Sequence, residues 1–398
     1  MAAAWLESAA GDRVAEYREM IAGHLRAAGQ FARAAEHLWR AGEAMLATGV
    51  PAAAARSLST AVELWDEAGV APPVVALLPL AEALALVGDT AAAEVALGRA
   101  RPRAVTAAER ADVANFASWV AALEGQPDRE RVLLAEALPL AEEAGGPCLI
   151  RTLIGLVWSE SNSGELSAAE EHAARALTLA EELDDLTEMC RALGASALVV
   201  AEQGDLEASQ RCVERQLAVA VVAGNLDAQA RALDNLGVVI HLRGDAEGDD
   251  DLYREAIRNY RRGIEIHDRL GERQMSLMMT LNMAQAHVRL GLDDDARLLI
   301  SDVAAAAIDL RSEVVQCLCL VGEADRLISR GQVAVGLAYL GLHLRQRSAG
   351  SIDQHEADRV LARASLSRDV IEAGMAAGAD LDLETVVRLL AGGGESRL

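Results

Sequence analysis

Lysine is missing from this chain of 398 residues: all 37 basic residues are arginine, set against 61 acidic ones, for a formal charge of -24. No P-loop lysine, Schiff-base lysine or lysine general base is therefore available. The acid excess argues against a nucleic-acid surface, which needs positive charge to displace counterions from phosphate. It equally disfavours an anionic membrane surface. Rings are scarce, with two Phe, four Tyr and five Trp making 3% of the chain. β-Branched and aromatic residues build sheets and thick cores, so their scarcity beside abundant Ala and Leu points to thin layers of helices. No apolar run reaches the roughly 18 residues of a membrane span. No basic region followed by an apolar run opens the chain, so no secretory signal is expected. The five cysteines, Cys148, Cys190, Cys212, Cys317 and Cys319, include no C-x-x-C pair. Buried, reduced thiols in a cytoplasmic protein are the expectation.

Glycine supplies the organisation. Gly164, Gly204 and Gly244 are spaced by 40 residues, as are Gly291 and Gly331 after one interval of 47. Upstream the series continues at Gly125, Gly88 and Gly49, and half-period stops stand at Gly29, Gly69, Gly145, Gly224 and Gly271. Each is read as a helix terminator, because glycine takes the left-handed conformation without steric cost. The result is a series of short helices, each of roughly four to five turns. Seven residues before the main glycines stand Gly42, Ala81, Ser118, Val157, Ala197, Gly237, Ala284 and Ala324, all small except Val157. After them come Ala54 and Ala61, Ala93 and Ala100, Ala169 and Ala176, with Glu130 and Ala137 after Gly125. Small residues seven apart share a helical face and let a neighbouring helix approach closely. Such hairpins cannot bury their apolar stripe alone and stack on one another.

Small at position 8, glycine near 15 and alanine at 20 and 27 is a pattern that resembles the tetratricopeptide repeat. The nearest copy is Leu233, Asn235, Leu236, Gly237, Gly244, Ala256, Tyr260 and Gly263, followed by Leu281, Asn282, Ala284, Gly291 and Ala296. The resemblance implies an all-α, right-handed superhelical solenoid of antiparallel hairpins, with about eight repeats over residues 30–350. The repeat's usual aromatics are mostly aliphatic here. Residues 1–29 are read as N-terminal capping helices, 351–391 as C-terminal capping helices and 392–398 as a flexible tail. Trp5, Leu6, Gly11, Asp12, Arg13, Ile21, Ala22, His24, Gly29 and Phe31 resemble the start of the helical-repeat region in large bacterial signalling ATPases and nucleotide-cyclase fusions, although Gly23 and Leu25 depart from the usual His and Tyr. That resemblance implies the C-terminal portion of a longer signalling design. The run Leu383, Glu384, Val386, Val387, Leu389, Leu390, Ala391 is faintly similar to the entry of a LuxR-type DNA-binding domain, whose recognition helix would fall after Leu398. A capping helix is the preferred reading.

The interval of 47 holds an acidic insertion at 245–251, with Asp245, Glu247, Asp249, Asp250 and Asp251. An EF-hand would need glycine where Asp250 stands and glutamate where Ala256 stands. A solvated loop whose acids favour the following helix N-terminus is expected instead. No nucleophile elbow, H-E-x-x-H pair or dinucleotide motif is present, and His241 and His287 lack a third metal ligand. Neither catalysis, a metal nor a cofactor is expected.

In tetratricopeptide solenoids the first helix of each hairpin lines the concave face. The resemblance then places Arg151, Arg191 and Arg231 at position 2 of successive repeats and Asn235 and Asn282 at position 6. Asp234, Val238, His241, Met278, Gln285 and Arg289 stand around them. Asparagine amides both donate and accept, and so clamp an extended backbone. An arginine column would select an acidic peptide, a C-terminal carboxylate or a phosphate. Its plain alternative is internal pairing, since Glu188 lies three residues before Arg191. The expected function is a non-catalytic interaction scaffold or sensor in bacterial signal transduction that binds a protein or peptide. The alternative is the sensing part of a transcriptional regulator with its DNA-binding domain elsewhere. Self-association is expected through the solenoid ends, as a homodimer.

Overall fold

The computed structural model describes residues 5–6, 16–47, 50–346, 351–364 and 366–393, the side chains of 351–356 excepted. Gly11, Asp12, Arg13, Gly49 and the last five residues of the expected tail lie outside these. Among the described residues the regular structure is helical. No described helix is long and apolar enough to cross a membrane.

The chain divides into two compact units. The first comprises 1–159 with 178–183, and the second 160–177 with 184–398. In the first lie α1 (Arg18–Ala27), α2 (Phe31–Ala47), α3 (Pro51–Glu67), α4 (Val74–Leu86), α5 (Thr90–Ala100), α6 (Ala107–Leu123) and α7 (Pro127–Ala144). Helices α8 (Gly146–Asn162) and α9 (Leu166–Glu182) each carry residues of both units. The second unit continues with α10 (Leu186–Glu202), α11 (Leu206–Val222), α12 (Leu226–Glu247), α13 (Asp250–Leu270), α14 (Arg273–Arg289), α15 (Asp293–Leu310), α16 (Glu313–Ser329) and α17 (Val333–His343). It closes with α18 (Ser351–Ala364), α19 (Arg368–Ala377) and α20 (Leu383–Ala391).

Turn chemistry explains the segmentation. Gly204 takes φ 88° and Gly224 φ 65°, and the residue after each sends its N–H back to a carbonyl five residues earlier: Asp205 to Val200 at 3.1 Å, Asn225 to Ala220 at 3.1 Å. That bond satisfies a helix-end carbonyl. The same residues then cap the next helix, Asp205 accepting from the Ala208 N–H and Asn225 from the Ala228 N–H, both at 2.9 Å. One glycine and one side-chain acceptor thus stop a helix and start another. Two further stops use no glycine. Asp184 and Arg311 adopt φ 52° and 53°, each 20 residues after a glycine of the main series.

The small-residue stripe is the packing seam. Ala81, Ser118, Val157, Ala197, Ala284 and Ala324 are all buried, and Ala54, Ala61, Ala93, Ala100, Ala137, Ala169 and Ala176 are 0% exposed. Glu130, standing where alanine is usual, is also buried, and desolvation raises its carboxyl pKa against the pull of Arg131. At Gly237 a Cβ would lie 2.4 Å from the Tyr260 ring, so glycine there is what lets α12 and α13 approach. Within each unit a first helix also touches the first helix of the next hairpin: α4 meets α6, α10 meets α12, and α14 meets both α12 and α16. Repetition of that contact is what makes a stack of hairpins. At its end α18 lies on α16, α19 on α17, and α20 on α15 and α16, burying Val386, Val387 and Leu390.

The insertion differs from its expected form. Instead of a loop, it is helix almost throughout. Gly244 is buried inside α12, where a Cβ would lie 2.8 Å from Tyr253, and the left-handed terminator is Gly248. Asp249 caps α13 and Asp250 and Asp251 occupy its first turn, as acids at a helix N-terminus should. Seven residues are about two helical turns. The hairpin absorbs them as roughly one extra turn per helix, α12 running to 22 residues where α14 has 17.

Candidate functional site

Two successive hairpins of the second unit and a closing helix build a cleft. Val238, His241 and Leu242 come from α12, Asn282 and Gln285 from α14, and Tyr260 from α13, while Arg359 and Arg363 of α18 form its remaining wall. The unoccupied volume is about 280 Å³ with the open mouth included, and its interior has room for about one water. Four residues expected from the sequence therefore meet here: Val238, His241, Asn282 and Gln285.

An ionic cluster adjoins the cleft. Arg289 donates through Nη2 to both Asp325 oxygens at 2.6 and 2.5 Å and through Nη1 to Ser329 Oγ at 3.3 Å. Its Nε stands 3.4 Å from Asp245, on the extra turn of α12. Arg363 spans the same two acids, donating to Asp245 at 3.1 Å and Asp325 at 3.3 Å. Tyr253 donates its hydroxyl to Asp245 at 2.9 Å and packs edge-on against His241. Burial, then the bond to Asp245, pushes the Tyr253 phenol up. Burial alone would lower the Arg289 pKa, but Asp325 and Asp245 together raise it, so the guanidinium stays charged. His241 is driven the other way: burial, opposed by Asp245 and reinforced by Arg289 and Arg363, lowers it to about 4. Its imidazole is neutral at pH 7, and Nε2 is buried without a hydrogen-bond partner among the described residues, 3.9 Å from Asp245.

The other expected residues lie outside the cleft lining. Asn282 donates to Asp234 at 3.2 Å, which orients its amide, whereas Asn235 is turned to Gln216 at 3.4 Å. Met278 packs against the apolar core around Leu281 and Ile300. Each arginine of the expected column holds a carboxylate of its own. In the first unit Arg151 donates to Asp112 at 2.7 Å; in the second Arg191 stands 3.6 Å from Glu188, and Arg231 3.0 Å from Asp227. Glu188 is the partner the sequence offered. Asp245, Asp325, Arg359 and Arg363 lie outside the expected set: Asp245 stands in the acidic insertion, and α18 among the closing helices.

A metal-ligating combination also escaped the sequence reading. Asp227, His267 and Glu272 bring one ligand atom each within 4.8 Å of one another. His267 Nδ1 lies 2.6 Å from Glu272, and Asp227 already holds Arg231, so the group is knit by internal pairs. Cys148, Cys190, Cys317 and Cys319 are buried and Cys212 is half-buried; none is in a disulfide among the described residues. Burial raises the thiol pKa of Cys148, Cys190, Cys212 and Cys319, which keeps them protonated and unreactive.

No protein-family model and no curated protein matches the sequence. Solved structures do match in fold. A Rap protein complexed with competence and sporulation factor superposes with TM-score 0.61 at 13% identity, over 92% of this chain and 99% of that one. NprR in complex with its cognate peptide NprX gives 0.54 at 15% identity, over 84% and 94%. A signal-transduction ATPase with a tetratricopeptide repeat sensor, from Pyrococcus horikoshii, gives 0.51 at 14% identity, over 90% of this chain and 50% of that one. Helix pairing, the buried small-residue seam and these superpositions agree: the fold is that of a tetratricopeptide-type array of helix hairpins.

Proposed function

We propose that the chain is a non-catalytic binding module of bacterial signal transduction, which takes a peptide or an extended segment of a partner protein along the first helices of the second unit. The observation that carries this reading is the convergence of Val238, His241, Asn282 and Gln285 on one cleft across two successive hairpins. An amide held by Asp234 presents fixed donor and acceptor groups, as backbone recognition requires. Two proteins of the same fold, Rap and NprR, were solved with a signalling factor or cognate peptide bound, which supports a peptide over a small metabolite. Among the described residues that line the cleft no nucleophile stands beside a base, and His241 there is held neutral by burial. The partner's acidity rests on Arg151, Arg191 and Arg231, which would have to exchange Asp112, Glu188 and Asp227 for a ligand carboxylate.

Copurification of the tagged full chain with mass spectrometry of bound peptides tests the reading. A defined partner is expected, and Asn282→Ala should release it while the helical circular-dichroism signal is retained. A partner held equally by wild type and Asn282→Ala would place recognition elsewhere. Reversing Arg191 and Arg231 to Glu tests the acidic preference separately: binding unchanged by the reversal removes the arginine column from recognition.

A further inference from the structure

The cleft is walled on one side by the chain itself, and the contact has the chemistry of a ligand. Asp245 and Asp325 come from two different first helices and face one cation of the hairpin between them, Arg289. Two carboxylates and one guanidinium leave a net negative charge in a site where Asp325 is only 2% exposed. Arg363 supplies the missing positive charge from α18, and Arg359, one turn earlier, lines the same cleft.

On Asp325, Arg363 is the looser of the two cations. Its bond there measures 3.3 Å, against 2.6 and 2.5 Å for Arg289, while on Asp245 it is the nearer, at 3.1 Å against 3.4 Å. Charge-assisted bonds at full strength fall near the shorter pair. The buried Nε of Arg363 has no hydrogen-bond partner among the described residues; the same holds for Arg289 Nε and for His241 Nε2, which lines the cleft. A guanidinium seated deeper or turned differently would satisfy more of these groups than Arg363 does. The helix that carries it rests on α16, with Ala357 and Val360 buried and Leu361 partly buried against the same apolar cluster.

We propose that Asp245 and Asp325 form a subsite for an arginine side chain of the incoming peptide, and that Arg363 is the chain's own occupant, which the peptide displaces. This rests on the peptide-binding reading above. It predicts that the resting chain binds more weakly than the cleft allows, because the competent state is only the fraction with Arg363 withdrawn.

The test uses the full chain and a fluorescein-labelled synthetic peptide copying residues 357–366, followed by anisotropy. Arg363→Ala should tighten binding about tenfold, the internal competitor being lost. A peptide with both arginines replaced by glutamate should not bind, and a lysine version should bind about tenfold more weakly for want of a planar fork. Asp245→Asn added to Arg363→Ala should abolish the gain; Asp245 is the more exposed of the two acids, 19% against 3% for the side chains, so this variant is the one expected to fold normally, as cooperative melting would verify. The proposal is overturned if Arg363→Ala binds no tighter than wild type, if arginine and glutamate peptides bind alike, or if no variant binds the arginine peptide. Binding that is lost with Asn282→Ala yet indifferent to Arg363→Ala would keep the peptide-binding reading and remove the occupant.

Discussion

The two units solve the same packing problem with different interiors. In the first, buried polar residues are few and small, Ser57, Ser118, Thr152 and Ser159 together with Glu130, and the core is Ala and Leu. In the second, His241, Asn259, His267, Gln285, His287, Glu323, Asp325, Arg326 and His343 are all buried. Alanine seams are sufficient to stack hairpins, as the first unit demonstrates. Buried charge in the second unit is therefore surplus to folding, and it gathers on first helices. Arg326, 1% exposed, is held by Glu323 at 2.7 Å and Asp293 at 2.9 Å; its neighbour Asp325 feeds the cleft cluster. Interiors of this kind add little net stability but are costly to leave half paired.

The largest expected effect comes from that asymmetry. Asp325→Ala strands Arg289 and Arg363 and should cost about 3–5 kcal/mol in urea denaturation. Asp112→Ala, which frees the more exposed Arg151 in the first unit, should cost about 1 kcal/mol or less. Equal losses would break the comparison. Next comes acid sensitivity. A histidine lowered to about 4 from 6.5 contributes stability that is complete above pH 6.5 and lost as pH falls towards 4. His241→Gln should remove that loss, on the order of 3 kcal/mol at pH 4, seen as a flatter acid limb of Tm against pH.

Sterics give a smaller contrast. Gly237→Ala drives a methyl into the fully buried Tyr260 ring and should destabilise by about 1–3 kcal/mol. Gly42→Ala in the first unit drives its methyl against Leu58, which is equally buried but is an aliphatic chain and not a ring, and helix propensity offsets part of the clash. Thermal melts in which Gly42→Ala proves the worse variant would reverse the order. The smallest effect is at the stops: Arg311→Gly should stabilise by about 1 kcal/mol by relieving a left-handed non-glycine residue.

The glycine period and the small-residue seam made the helical array legible, because left-handed stops and close approach leave few residue choices. Asp184 and Arg311 escaped, since both are exposed left-handed helix ends with no glycine to mark the place. Gly244 misled: a glycine spacing of 40 cannot distinguish a helix end from a buried glycine facing Tyr253. In the site, Val238, His241, Asn282 and Gln285 were legible from repeat position. Asp245 and Arg363 were not, being 118 residues apart in sequence and joined only by folding.

The extra turn of α12 carries a restriction on how this chain can change. Each residue added to a helix rotates the rest of that helix by about 100°, so seven residues return the register almost to its start. Deleting one or two of residues 245–251 would swing the returning helix by about 100° or 200° to another face, whereas deleting all seven would restore an ordinary hairpin without Asp245. Sequence drift at this hairpin is thus quantised in whole turns of about 3.6 residues: only deletions near one turn or two keep the stack in register.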